Sequence, residues 1–141
     1  WASAVHLVRN AVDHGIETSE ERRSSGKSEN GSLVLRARSE AGSFVFEIED
    51  DGRGIDWERV RARAREWGLP AESAADLERA LFTDGLSTRE EANELSGRGV
   101  GMAAVLGSCE TLGGSIAVHS EPGTGTRVRV TLPAGPRVIA A

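Results

Sequence analysis

The sequence predicts an α+β domain, a two-layer sandwich with a mainly antiparallel (mixed) sheet and helices packed on one face. Three observations predict it. Alternating apolar stretches come as two pairs, 32–39 with 43–50 and 115–120 with 126–132, each joined through a short glycine-bearing turn. Segments of helical period precede the first pair and fill the space between the two. The chain has 141 residues, 38% hydrophobic and 28% charged, which suits one soluble globular domain. Strands joined as hairpins lie antiparallel, and helices grouped around them cover one side of the sheet.

Each element has its own signal. Residues 2–15, ASAVHLVRNAVDHG, place Val5, Val8 and Val12 at helical spacing, and Gly15 marks the stop. Residues 16–31 are polar and rich in Ser, Glu and Gly, a loop with a short helix at 18–24. SLVLRARS and SFVFEIED read as strands joined through Glu40-Ala41-Gly42. DWERVRARAREWG reads as a helix with Asp56 as cap and Gly68 as stop. Residues 73–81 form a short helix, and 82–98 are irregular and punctuated by glycine. Residues 99–113 form a helix whose apolar side is Val100, Ala103, Ala104, Val105 and Leu112, ending at Gly113-Gly114. SIAVHS and TRVRVTL close the domain as a hairpin around EPGTG.

Bulk properties narrow the function. The net charge of −5 and pI near 5.3 argue against nucleic acid as a partner, since phosphate neutralisation needs a basic surface, but leave room for a nucleotide in a local cradle. No run approaches the roughly 20 apolar residues of a membrane span, so no membrane insertion is expected of this segment. Cys109 stands alone, which excludes a disulfide framework and a cysteine metal site and suits a small core residue in a reducing interior. The chain opens on Trp1 and reads as a fragment of a longer protein, one domain over 1–141.

Three stretches carry candidate chemistry. In the first helix His6, Asn10, Asp13 and His14 fall at i, i+4, i+7 and i+8, so they share a face, either plainly solvated or a polar site. In EDDGRGID a strand ends at Asp50, where a side chain can accept hydrogen bonds in a semi-buried pocket, and Gly52 and Gly54 leave room beside it. An acidic turn is the simpler reading of that stretch. In SGRGVGM the alternating Gly97, Gly99 and Gly101 lead into a helix. They make either a flexible loop or a backbone cradle for an anion at the helix N-terminus. The pattern is not a P-loop, because no Gly-Lys-Ser/Thr follows.

The order of these motifs, with GTGT in the last hairpin, resembles the Bergerat-type ATP-binding fold of histidine kinases, gyrase-type topoisomerases and heat-shock chaperone ATPases. HLVRNAVDHGIE, DDGRGID, FTDGLST and LSGRGVGM together resemble the catalytic domain of CheA-like chemotaxis histidine kinases, over residues 5 to about 133. The resemblance implies ATP and Mg²⁺ as cofactors. It makes Asn10 the Mg²⁺ ligand and His6 the group that activates or orients the attacking histidine. Asp13 and His14 would lie near the phosphates, with a structural role an equal reading for His14. Asp50 would accept the adenine amino group, with Gly52 beside it, Gly54 and Ile55 lining the ring and Thr126 supporting the pocket. Gly97, Gly99 and Gly101 would be hinge and phosphate cradle within an ATP lid over about 82–98, with Arg98 reaching a phosphate and Met102 completing the nucleotide-binding motif.

The resemblance further implies a bacterial, cytoplasmic two-component kinase domain that presents the γ-phosphoryl group to a histidine on a separate domain. Its partners would be that phosphoacceptor domain, a response regulator and a receptor or coupling protein. Two departures stand out: Ala103 replaces a common Asp, and Leu86 a common Phe. The strand and helix that usually open this fold are not in the sequence, which predicts a free edge and favours a homodimer through sheet or helix pairing. The rival readings are an ATPase driving conformational change, against which His6 stands where Glu would be expected, and a degenerate nucleotide- or partner-binding module without phosphotransfer.

Overall fold

The computed structural model describes residues 2–83 and 102–135. Helix α1 (Ala2–Asn10) runs into a π turn (Ala11–Gly15), followed by a short α2 (Ser19–Ser24). Strands β1 (Leu33–Glu40) and β2 (Ser43–Asp50) come next, then α3 (Trp57–Glu66), α4 (Ala74–Leu81) and α5 (Met102–Thr111). Strands β3 (Ser115–Glu121) and β4 (Gly125–Pro133) close the fold. The sheet order is β1-β2-β4-β3 and every pairing is antiparallel, so among the described residues the sheet is not mixed.

Strand register decides which residues meet the helices. Phe46 pairs with Val130, Ile48 with Val128 and Asp50 with Thr126. Side chains alternate across a strand, so these six share one face. Ile48 and Val128 pack there with Leu7 of α1 and Val105 of α5, flanked by Phe46, Ile116, Val118 and Val130. Truncating a buried side chain such as Leu7 to Ala typically costs about 2–5 kcal/mol. Asp50 and Thr126 end the same face, at the margin of the layer between sheet and helices.

The opposite face is ionic. Glu49 pairs with Arg36 and Arg127 on the flanking strands, and Glu47 with Arg38 and Arg129. The hydrogen bond from Arg38 holds the Glu47 carboxyl below the ordinary carboxylate range despite its burial. These cross-strand pairs fix the register that puts Asp50 opposite Thr126.

Helices α3 and α4 form a second small core of Val60, Ala64, Ala71, Leu77 and Ala80. Asp56 caps α3 by accepting from the Arg59 N–H, and Ser73 with Asp76 forms a capping box on α4. This pair is tied to β3 by polar contacts. Glu78 accepts from the Val118 N–H at 2.9 Å, and the Trp57 indole donates to the Ser120 carbonyl at 3.0 Å. Among the described residues β3 is an edge of the sheet, so Glu78 covers an edge donor.

Two expectations are corrected. The buried residues of the first helical segment are Leu7 in α1 and Ala11 in the π turn, with Val8 partly buried, whereas Val5 and Val12 are 60% and 52% exposed. Leu7 and Ala11 stand at i and i+4, and Leu7 packs against Ile48 and Val128 of the sheet. Leu112 lies past the end of α5 and is 58% exposed, while Cys109 takes the buried position four residues after Val105.

Candidate functional site

Asp50 is the last residue of β2 and only 8% exposed. Its Oδ1 accepts from the Gly52 N–H at 2.9 Å, and the backbone of Thr126 stands opposite on β4. Burial nonetheless pushes the carboxyl above the ordinary aspartate range, because the hydrogen bonds only partly offset the lost hydration. A buried acceptor raised in this way is a candidate recognition group.

The glycines beside it are required by contact. A Cβ at Gly52 would fall 2.2 Å from the Gly15 carbonyl oxygen. At Gly54, where φ is +71°, it would fall 2.3 Å from the Glu121 carbonyl oxygen. The Arg53 N–H donates to the Gly15 carbonyl at 2.8 Å. The end of the first helical segment and the turn after β2 are therefore in backbone contact. Two motifs far apart in sequence meet there.

On the helical side, His6 and Asn10 stand one turn apart on α1 and are half-buried. The Asn10 side chain makes no hydrogen bond to another described residue, so its amide oxygen is available as a ligand. After Asn10 the backbone widens: the Ile16 N–H bonds to the Ala11 carbonyl at 2.8 Å, an i→i+5 bond. Asp13 and His14 lie in this π turn and are exposed, so the α-helical stripe joining them to His6 and Asn10 is interrupted. Among the described residues no three of His, Cys, Asp and Glu gather as a metal site. A Mg²⁺ on Asn10 would take its remaining oxygens from phosphate and water, a mixed coordination that suits this ion.

Thr126 Oγ1 lies 3.0 Å from Ser120 Oγ. Ser120 Oγ accepts from the Ile55 N–H at 2.8 Å and donates to the Gly125 carbonyl at 2.9 Å. A hydroxyl has one proton, so Thr126 donates to Ser120 and keeps acceptor capacity of its own. Ser120 thus ties Ile55, Gly125 and Thr126 into one wall, a role that a serine near a strand end does not announce in sequence. Met102 opens α5 and packs against the main core. Gly97, Arg98, Gly99 and Gly101 lie outside the described residues, as does the lid segment beyond Thr83.

Behind the Asp50 turn stands a charged cluster read from sequence only as polar loop. Arg22 bonds Glu17, Asp51 and the Ser28 carbonyl. Lys27 bonds Glu17 and the carbonyls of Asp51 and Gly52. Burial raises the Glu17 and Asp51 carboxyls. Hydrogen bonds, from Lys27 to Glu17 and from the Ser32 N–H and Arg22 to Asp51, outweigh it and hold both below the ordinary range.

The family of histidine kinase-, DNA gyrase B- and HSP90-like ATPases matches residues 2–136, and the chain belongs to it. More particularly, the chain is 43% identical to the chemotaxis protein CheA of Klebsiella aerogenes over 131 residues, 91% of this chain and 20% of that one. It is 46% identical to the gliding motility regulatory protein of Myxococcus xanthus over 135 residues, 92% of this chain and 17% of that one. The chain therefore spans about a fifth or less of these relatives. Among solved structures, the catalytic domain of the histidine kinase ThkA superposes with a TM-score of 0.55 at 16% identity, covering 94% of this chain and 67% of that one. The histidine kinase domain of a blue-light activated kinase from Erythrobacter litoralis gives 0.53 at 20%, covering 94% and 42%. These likenesses bear out the expected fold.

Proposed function

We propose that this chain is the ATP-binding catalytic domain of a CheA-like protein-histidine kinase. The observation that carries the reading is Asp50, a buried carboxyl at a strand end, held beside Thr126 in a chain 43% identical to CheA across 91% of its length. As a carboxylate it accepts the adenine amino group and has no donor for a guanine carbonyl. Asn10 offers an amide oxygen to Mg²⁺, which when bound neutralises charge on the phosphoryl oxygens. His6, one turn earlier, orients the attacking imidazole or accepts its proton. Gly97, Arg98, Gly99 and Gly101 are assigned to phosphate binding by their motif.

The phosphoryl acceptor would be a histidine on another domain of the full protein. A response regulator then takes the phosphoryl group, under control of a receptor or coupling protein, in the bacterial cytoplasm. Among the described residues β1 has a strand neighbour on one side only, and pairing of two copies along it would give the homodimer. The test is transfer of label from γ-labelled ATP to a phosphoacceptor domain of a CheA relative. The expected product is an acid-labile, alkali-stable phosphohistidine that is lost in Asn10→Ala. ATP binding without transfer would instead identify a nucleotide-binding module.

A further inference from the structure

Arg22 is 1% exposed although it sits in a helix of six residues on the edge of a polar loop. A buried guanidinium loses its hydration and persists only when its donors are satisfied. Nε donates to the Ser28 carbonyl at 2.6 Å, and one terminal nitrogen donates to Glu17 at 3.0 Å and to the Asp51 carbonyl at 3.2 Å. The other terminal nitrogen donates to the Asp51 carboxylate at 2.8 Å. Lys27 directs its ammonium to Glu17 at 2.7 Å, the Asp51 carbonyl at 2.9 Å and the Gly52 carbonyl at 2.7 Å. Two cations and two carboxylates thus balance, and among the described residues no buried side-chain polar atom lacks a partner.

Both cations converge on the turn that carries Asp50. The Asp51 carbonyl and the Gly52 N–H belong to one planar trans peptide unit, so they point in opposite directions. Arg22 and Lys27 hold the carbonyl end, and the N–H end donates to Asp50 Oδ1 at 2.9 Å. Rotating that peptide would break bonds at both ends. Glu17, the shared anion, follows two residues after Gly15, whose carbonyl takes the Arg53 N–H. The clamp therefore rests on the same two backbone segments that form the site.

We propose that Arg22 and Lys27 are positioning residues for adenine recognition, locking the Asp51–Gly52 peptide so that it aims the Asp50 carboxyl. The inference rests on the reading of an ATP site and adds a specificity device to it. The test uses the chain with Lys27→Met, Lys27→Arg, Arg22→Lys and Arg22→Gln. Thermal unfolding establishes which variants are folded at the working temperature. The Gly52 amide proton shift is read by NMR without nucleotide, and ATP and GTP affinities are read by calorimetry with Mg²⁺.

In folded Lys27→Met and Arg22→Lys the Gly52 amide proton is expected to move upfield. ATP affinity should fall about tenfold, as for loss of one charge-assisted hydrogen bond, and the preference for ATP over GTP should narrow. Lys27→Arg, which keeps donors at this position, restores both readouts. An unmoved Gly52 amide, an unchanged ATP affinity, or ATP and GTP weakening in parallel in folded Lys27→Met overturns the clamp alone. Failure of the unaltered chain to bind ATP overturns the ATP-site reading and the clamp with it. Where the Arg22 variants do not fold, the two Lys27 variants decide.

Discussion

At Asp50, stability and the proposed adenine recognition oppose each other. Burial raises its carboxyl above the ordinary value, so the folded chain holds that proton more tightly than the unfolded chain. Between the ordinary aspartate range and the raised value, stability therefore falls as pH rises, and it stays reduced at neutral pH. Asn at this position keeps an acceptor for the Gly52 N–H and never ionises. Asp50→Asn should therefore unfold at a temperature equal to or above that of the unaltered chain at pH 7. The difference should shrink as pH falls toward the ordinary aspartate range. ATP affinity should drop by at least about tenfold, because a charged acceptor is lost. Thermal unfolding at several pH values and a nucleotide titration check both halves. Asp50 was legible because a carboxylate at a strand end followed by spaced glycines is an uncommon pattern. Ser120, Arg22 and Lys27 were not, because a serine near a turn and charges in a polar loop look the same whether solvated or buried. Only the meeting of residues far apart in sequence separates the two cases.

The elements themselves were nearly all readable, with both hairpins and the caps of α3 and α4 close to their expected places. The first helix shows where periodicity fails. Val5-Val8-Val12 and Leu7-Val8-Ala11 both satisfy helical spacing, and only packing in the folded chain, Leu7 against the sheet and Ala11 buried, chooses the second. The π turn after Asn10 has no sequence signal, since one i→i+5 bond depends on where the chain must go next. The β1–β2 connection holds a testable weakness. Ala41 has φ +47° and precedes Gly42 at +75° in a two-residue loop, a geometry that favours Asn-Gly. Ala41→Asn should stabilise the fold by roughly 0.5–1 kcal/mol, because Asn tolerates this conformation better than Ala. A higher denaturation midpoint at unchanged slope would bear this out, and an unchanged or lower one would show that the turn is not strained.

For the whole molecule, one sheet face builds the core and ends in the site, while the other locks register with ion pairs. The main core and the α3–α4 core meet at β3 through Glu78 and Trp57. Membership in the ATPase family follows from residues 2–136 together. No single motif carries it, since each glycine pair or lone carboxylate also has an ordinary structural reading. We propose the Asp50 turn, braced from behind and facing Thr126, as an adenine pocket. Calorimetric titration of ATP with Mg²⁺ into the chain, beside GTP and Asp50→Ala, tests it most directly. Saturable ATP binding, weak GTP binding and loss of ATP binding in Asp50→Ala are the expected results. A folded chain that binds neither nucleotide, or binds both equally whether or not Asp50 is present, would contradict it.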